Sequence, residues 1–227
     1  PMLIEAVIAL LTPEAPFLPD YLASEASSGA RHQECVRLIV EDLAKGREGA
    51  QRWALEGGGA PAQHCLAIAD LAAGFPKLAA IRLTETAARP DAGDETTRAR
   101  LLAEAALAWL EAGDIAQAEK AVTSAKERAP ALKELDFVAA KIFAADGRWQ
   151  AAADAVTAAE KNGVKSPEAY VIRARAYRAL GRDDEAAEDV VSALTLDPVN
   201  IDALTLRGEL RQAGIEIEAY YGDQVKP

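Results

Sequence analysis

The chain has 227 residues, of which 50% are hydrophobic and 27% charged, so it can bury a substantial core without metal ions or disulfide bonds. Its net charge of −11 argues against a nucleic-acid backbone or an anionic membrane surface as the main partner, because both require a basic face. No stretch is long and apolar enough to span a bilayer, which takes about 20 residues. The sequence lacks the phosphate-binding loop, the nucleophile elbow and the zinc-peptidase motif, so it predicts neither an enzyme nor a cofactor.

Residues 1–30 are predicted to form an apolar N-terminal segment and a linker. The apolar run extends from Met2 to Leu11 and contains one charge, Glu5. A helix of this composition is too apolar to remain in water, so another surface must cover it. Three interpretations stay open: a cap packed under the first helical hairpin, an occupant of the groove of a neighbouring protomer, or an anchor by which a larger complex holds the chain.

Two hairpins of irregular sequence are predicted next. Residues 31–59 form a degenerate helical hairpin that ends at three successive glycines, beginning with Gly57. A second hairpin covers about 60–93, and the polar stretch 91–97 is expected to be a surface loop inserted before the regular repeats.

The regular part of the chain repeats every 34 residues. Three glycines follow this period, and so do two columns of alanines: Gly113, Gly147 and Gly181; Ala118, Ala152 and Ala186; Ala125, Ala159 and Ala193. Small residues at a fixed period of this length predict stacked helical hairpins. The units are assigned to 99–132, 133–166 and 167–200, followed by a partial unit at 201–221 and a tail at 222–227.

Local signals mark where some of these helices begin. Asp114 is placed to cap the second helix of its unit, with Gln117 three residues later in the position of a capping box. Ser166 followed by Pro167 indicates a helix start, because proline at the first helical position loses no hydrogen bond. A shortened second helix at 215–221 is expected to cover the end of the array.

These repeats resemble the tetratricopeptide repeat (TPR). The first helix of that repeat has a large, a small and an aromatic residue, and these columns contain Leu102, Ala106 and Trp109; Asp136, Ala140 and Phe143; Tyr170, Ala174 and Tyr177. The second helix has alanine, a bulky residue, alanine and a closing proline, matched by Ala118, Val122, Ala125 and Pro130. The resemblance implies an all-α fold, a right-handed superhelical solenoid of antiparallel helix pairs whose concave face is lined by the first helices.

The resemblance also implies a function. TPR proteins bind peptides or partner domains, so we expect a non-enzymatic scaffold or adaptor that binds a partner segment in the concave groove. The alternative is a structural or assembly subunit of a larger complex, held through its apolar N-terminal segment, and a homo-oligomer is compatible with either. The region from Cys35 to Cys65 is similar to envelope-associated TPR proteins of alphaproteobacteria. This similarity favours the bacterial periplasm or cell envelope, with the cytoplasm as the alternative.

Helix phase on this fold predicts which side chains line the groove. An apolar strip is expected to become basic toward the C-terminal repeats, and it consists of His64, Ile68, Leu71, Arg100, Leu107, Leu110, Phe137, Lys141, Val171, Arg175 and Arg178. The arginines would bind carboxylates of the partner as bidentate donors. An equally open alternative is that Arg175 and Arg178 pair within the protein. Their candidate acids are then Glu134, Glu168 and Glu209.

All cysteines and histidines of the chain fall in one region: His32, Cys35, His64 and Cys65. Cys35 and Cys65 occupy nearly equivalent places on the first helices of adjacent hairpins, so a disulfide is geometrically reasonable. Two separate buried thiols are the alternative. A zinc site is disfavoured, because His64 and Cys65 are consecutive on a helix and point about 100° apart.

Overall fold

The structure is a computed structural model of the chain, and it describes residues 27–217. Within this range the chain forms eleven α-helices and no β-strand, in agreement with the predicted all-α fold. The helices are α1 (Ser27–Glu41), α2 (Leu43–Leu55), α3 (Gly59–Ala72), α4 (Pro76–Ala87), α5 (Glu95–Glu111), α6 (Ile115–Arg128), α7 (Leu135–Ala145), α8 (Trp149–Lys161), α9 (Pro167–Ala179), α10 (Asp183–Leu196) and α11 (Ile201–Gln212).

Consecutive helices pair as antiparallel hairpins because the turns between them are short. Gly113, Gly147 and Gly181 have φ angles of 76°, 72° and 73°, in the left-handed region that glycine adopts without strain. Each of them follows a first helix and precedes a second helix. The 34-residue period of glycines therefore marks the turn inside each regular hairpin.

The helix starts that were predicted from capping residues are confirmed. The Asp114 carboxylate accepts a hydrogen bond from the backbone N–H of Gln117 at 3.1 Å. The Ser166 hydroxyl oxygen accepts one from the N–H of Ala169, also at 3.1 Å, and Pro167 is the first residue of α9. Each bond satisfies a backbone donor that has no partner within the helix.

One helix begins earlier than the sequence predicts. α5 begins at Glu95, inside the stretch 91–97 that was expected to be a loop. The reason is a cap that was overlooked: the Asp94 carboxylate accepts a hydrogen bond from the N–H of Thr97 at 2.8 Å. The inserted loop is correspondingly shorter.

The chain divides after Leu132 into two compact units. In the first unit, each helix from α1 to α5 contacts the helix that follows it, and α1 also contacts α3. In the second unit, α9 contacts the first helices α7 and α11 as well as the second helices α8 and α10. The first helices of this unit therefore lie side by side and present a common face.

Alanine and paired charges hold the helices of each hairpin together. The six alanines of the two 34-residue columns are fully buried, and such small side chains permit close packing of helices. In the second unit, Arg173 donates two hydrogen bonds to Asp189 of α10, at 2.8 and 2.7 Å, and one to Glu160 of α8, at 2.8 Å. Burial raises the pKa of Asp189, although the Arg173 guanidinium acts in the opposite direction.

The two ends of the chain differ in how far the structure describes them. No helix within residues 27–217 is long and apolar enough to cross a membrane. The short helix predicted at 215–221 is absent from residues 215–217, because the chain reverses after Gly214 and inserts Ile217 into the core. The remainder of that helix, the tail 222–227 and the apolar run at 2–11 lie outside the described residues.

Candidate functional site

The first helices of the second unit carry charged side chains on their common face. In α9, Glu168, Arg175 and Arg178 are separated by seven and three residues, a spacing that aligns them along one side of a helix. The neighbouring α11 is fixed by its own cap, since the side chain of Asn200 accepts a hydrogen bond from the N–H of Ala203 at 3.0 Å. Asp202 and Glu209 are the acidic residues of α11 that face these arginines.

Three ion pairs connect successive first helices across this face, and we call them the charged ladder. They are Lys141 of α7 with Glu168 of α9 at 2.8 Å, Arg175 of α9 with Asp202 of α11 at 2.6 Å, and Arg178 of α9 with Glu209 of α11. Every member of the ladder is partly or largely exposed to solvent, and the side chains of Arg175 and Asp202 are 49% and 63% exposed.

The ladder shows which acids lie beside the two arginines whose role the sequence left open. Arg178 pairs with Glu209, one of the acids proposed from the sequence. Arg175 pairs instead with Asp202, which was not considered, and Glu168 is engaged by Lys141. In this structure the two arginines therefore have partners within the protein.

The acidic members of the ladder left a signal in the sequence that was missed. Lys141 precedes Glu168 by 27 residues, and Arg175 precedes Asp202 by the same 27 residues. One cation and one acid thus recur at the same two positions of successive repeats. A search for charge pairs at a separation related to the repeat would have found both.

Two predicted groove residues of the second unit are core residues, which corrects the prediction. Phe137 and Val171 are 7% and 3% exposed and belong to the two hydrophobic clusters of this unit. Their position lies between adjacent first helices, so neighbouring side chains cover them. The ammonium group of Lys141 lies 4.8 Å from the centre of the Phe137 ring, an additional contact that orders this cation.

The predicted groove residues of the first unit are also less accessible than helix phase suggested. His64, Ile68 and Leu71 of α3 are buried, and the residues of α5 on the corresponding face are partly buried: Arg100, Leu107 and Leu110. All eight residues from His64 to Leu71 are buried, so α3 is covered on every side. These side chains do not present an open surface to a partner.

A buried hydrogen-bonded chain joins three first helices of the first unit. His32 Nε2 of α1 lies 2.8 Å from His64 Nδ1 of α3, and His64 Nε2 lies 2.6 Å from a carboxylate oxygen of Glu104 on α5. Both contacts are satisfied when each imidazole carries its proton on Nε2, because each Nε2–H then donates to the next acceptor. The two histidines were noted in the sequence, but Glu104 was not.

Burial determines the protonation of His32. The side chains of His32, His64 and Glu104 are almost completely removed from solvent. Burial, with a smaller effect from the neighbouring His64, lowers the pKa of His32 from 6.5 to about 2. A histidine that is neutral and enclosed in this way cannot reach a substrate, so we interpret the cluster as structural.

A disulfide bond lies beside the histidine chain. Cys35 of α1 and Cys65 of α3 are joined at an S–S distance of 1.98 Å, with their Cα atoms 6.4 Å apart. The bond connects the first hairpin to the second. Within residues 27–217, no three His, Cys, Asp or Glu side chains are arranged to hold a metal ion.

An exposed apolar patch at the start of α4 has no counterpart in the sequence-based prediction. Phe75, Leu78 and Ile81 are between 38% and 48% exposed and line a shallow depression with Ala112. The guanidinium of Arg47 lies 5.2 Å from the centre of the Phe75 ring, so one edge of the patch is already covered.

Comparison with known proteins identifies the fold. No protein-family model and no curated protein matches the chain. Among solved structures, a thermophilic TPR protein from Thermus thermophilus matches with a TM-score of 0.59 at 21% identity, over 82% of this chain and 98% of that one. YrrB, described as a TPR protein with an unusual peptide-binding site, matches with a TM-score of 0.58 at 15% identity, over 90% of this chain and 99% of that one.

A third match has the same architecture. A kinesin light chain protein of Podospora anserina with nearly identical TPR-like repeats has a TM-score of 0.60 at 19% identity, over 76% of this chain and 97% of that one. All three matched proteins are TPR or TPR-like by description. At these identities the similarity concerns the fold.

Proposed function

The chain has the tetratricopeptide-repeat fold, and from that premise we propose that it is a non-enzymatic scaffold that binds a segment of a partner protein. The proposal is supported by the presence of a peptide-binding site in YrrB, a protein of the same fold. It is also supported by the burial of the hydrogen-bonded side chains from His32 to Glu104. They resemble a catalytic relay, but they are enclosed and do not reach a substrate.

The charged ladder is the surface we assign to the partner, and its exposure is the observation on which the assignment depends. An ion pair between exposed side chains contributes only about 0 to 1 kcal/mol, because water competes for both charges. Arg175 and Arg178 are held in place by Asp202 and Glu209 through such pairs. A carboxylate of the partner can therefore replace either acid at little cost.

The chemistry of the ladder indicates which kind of segment it binds. An arginine presents several N–H donors in one plane, so it can bind a carboxylate in a bidentate manner. Arg175 and Arg178 lie almost one helical turn apart and point to the same side of α9. We therefore expect a partner segment with acidic side chains, or an acidic side chain near a terminal carboxylate.

The test measures affinity and its salt dependence for a partner recovered with the intact protein. In the variant Arg175→Ala/Arg178→Ala, we expect binding to weaken about tenfold or more, because charge-assisted hydrogen bonds are lost. The dependence of affinity on salt should decrease as well. The variant Asp202→Asn/Glu209→Gln removes the competing carboxylates, so its binding should become tighter.

A matched control removes the same charge from another surface. Lys161 and Lys165 are exposed residues of the second unit outside the ladder, so Lys161→Ala/Lys165→Ala should leave the affinity unchanged. Equal weakening in this control and in the arginine variant would contradict the assignment of the ladder. Tighter binding by Asp202→Asn/Glu209→Gln cannot result from damage to the fold. It therefore distinguishes a binding role of the two arginines from a structural role.

A further inference from the structure

Three large apolar side chains at the start of α4 are exposed to solvent, and we call them the α4 patch. The patch consists of Phe75, Leu78 and Ile81, which are 48%, 41% and 38% exposed. Single exposed apolar side chains are common on protein surfaces, whereas several that lie together are typical of a surface that binds another molecule. The question is therefore which molecule the α4 patch fits.

The position of α4 within its hairpin shows that the patch replaces a polar surface. Ala79 is fully buried and lies five residues after Gly74, whose φ angle is 80°. The same spacing separates Ala118 from Gly113, so α4 aligns with the second helices of the regular units. At the three positions of the patch, those units have eight polar residues and one alanine: Asp114, Gln117 and Lys120; Arg148, Ala151 and Asp154; Arg182, Glu185 and Glu188.

Two opposite charges flank the patch at equal distances from Ile81. Lys77 lies four residues before Ile81 and Glu85 four residues after it, so the three side chains lie along one face of α4. Both charged side chains are exposed, and neither forms an ion pair with another residue of the described range 27–217. The outer face of α4 therefore has a positive end, an apolar middle and a negative end.

We propose that the α4 patch binds the α4 patch of a second copy of this chain, with the two α4 helices antiparallel. In an arrangement with twofold symmetry about Ile81, each residue faces the one that lies equally far on the other side of Ile81. Lys77 of each copy then lies opposite Glu85 of the other, and Ile81 packs against its own counterpart. The two apolar patches cover each other between two ion pairs.

The order of the charges favours a second copy, and it favours the antiparallel pairing. A twofold interface uses the same residues of both chains, so its surface must be complementary to itself. The outer face of α4 meets this condition, because it contains both the cation and the acid at matching distances. A parallel pairing would place Lys77 against Lys77 and Glu85 against Glu85, and these like charges repel each other. The shallow depression that Ala112 forms with the patch can receive an apolar side chain of the second copy.

The size of this interface predicts a weak, reversible dimer. Each copy contributes one helix of 12 residues, so the interface lies at or below the lower end of the range for specific complexes, about 1,200 Å² in total. We therefore expect an equilibrium between monomer and dimer with a dissociation constant in the micromolar range. The α4 patch belongs to the first unit and includes no residue of the charged ladder, so the inference does not depend on the proposed function.

Sedimentation velocity of the full-length protein at increasing concentration tests the dimer. We expect the average mass to rise from that of one chain toward that of two chains through the micromolar range. Ile81→Asp should weaken the dimer by about tenfold or more, because two carboxylates then meet at the symmetry axis. The matched control Asp184→Lys changes the exposed residue of α10 that corresponds to Lys77, and it should leave the equilibrium unchanged. A mass of one chain at every concentration, or an unchanged dimer in Ile81→Asp, would overturn the proposal.

Charge reversal tests the antiparallel pairing. Lys77→Glu and Glu85→Lys should each weaken self-association by about tenfold, because symmetry places two pairs of like charges in every dimer. The double variant Lys77→Glu/Glu85→Lys should restore the dimer of the natural sequence. A mixture of the two single variants should form a heterodimer, since each variant supplies the charges that the other lacks.

The mixture also separates this interface from damage to the fold. Native mass spectrometry of the two single variants, one of them labelled with heavy isotopes, detects the heterodimer directly. Misfolded variants would not recover association on mixing. Self-association of both single variants that equals that of the natural sequence would assign the dimer to another surface. Failure of both the double variant and the mixture to restore association would contradict the pairing of Lys77 with Glu85, and either result would overturn the proposal.

Discussion

At the residue scale, the most unusual feature is the buried chain from His32 through His64 to Glu104. His32 also contacts the edge of the Trp53 ring, with the ring centres 6.4 Å apart, and its partner imidazole lies against it. These neighbours offer no charge that would stabilise an imidazolium. The pKa of His32 is accordingly lowered to about 2, with burial as the main cause and His64 as the second.

This lowered pKa predicts that stability decreases in weak acid. Between pH 6.5 and about 2, the unfolded chain binds a proton at His32 that the folded chain does not, so protonation favours unfolding. The stability that neutral His32 contributes is fully present above pH 6.5. It decreases by about 1.4 kcal/mol for each pH unit below that value, so the loss of stability at pH 5 is about 2 kcal/mol.

Urea denaturation at pH 7.5 and pH 5.0 measures this loss. The variant His32→Gln keeps an N–H donor near His64 but does not titrate, so it should lose about 2 kcal/mol less between the two pH values than the natural sequence. Carboxylates elsewhere contribute equally to both proteins and cancel in the comparison. The same pH dependence in both would show that His32 is not the responsible group.

At the scale of single elements, the repeat depends on glycine in some places and merely contains it in others. Gly147, in the turn between α7 and α8, has φ of 72°. Gly208 lies within α11 and has ordinary helical geometry. An added Cβ would meet no atom within 4 Å at either position. The two sites therefore differ in backbone conformation and not in available space.

Alanine at these two positions should have opposite effects on stability. Gly147→Ala forces an L-residue into the left-handed region and should lower the free energy of unfolding by about 1 kcal/mol. Gly208→Ala should raise it by about 0.5 to 1 kcal/mol, because alanine has the higher helix propensity. Urea denaturation of both variants checks the signs. Changes of the same sign would refute the assignment of Gly147 as a turn glycine.

At the scale of the whole molecule, the architecture could be predicted because its signals are local. The turn inside each regular hairpin uses a glycine with positive φ, and these glycines recur with the 34-residue period. Capping side chains such as Asp114 and Ser166 are also local signals, although they are not present in every unit. The cap at Asp94 is equally local, but this residue lies outside the regular repeats, so its cap was overlooked.

The exposure of the face that the first helices present could not be predicted in the same way. Helix phase gives the direction of a side chain, whereas exposure depends on what lies over it, and Ile68 and Arg175 differ in this respect at equivalent positions. The partners of the arginines also depend on how far long side chains reach between helices. Asp202 was therefore missed, although its spacing from Arg175 repeats that of Glu168 from Lys141.

The oxidation state of the whole chain depends on one bond, because Cys35 and Cys65 are its only cysteines. The bond closes a loop of 30 residues. A loop of this size restricts the unfolded chain enough to stabilise the folded state by about 3 to 4 kcal/mol. It also connects the irregular first hairpin to the second, so its loss should first affect the region that contains His32.

Thiol titration followed by denaturation therefore measures whether the two cysteines are bonded and how much the bond stabilises the fold. In denaturant without reductant, we expect no reactive thiol, and after reduction two per chain. The reduced protein and the variant Cys35→Ala/Cys65→Ala should both unfold at lower urea concentration, with about 3 to 4 kcal/mol less stability than the oxidised protein. Reductant should not change the stability of the alanine variant, which controls for other effects of the reagent. Two thiols before reduction would instead support the alternative of two separate buried cysteines, and the first two hairpins would then be linked by non-covalent contacts such as His32–His64 and Arg47–Asp70.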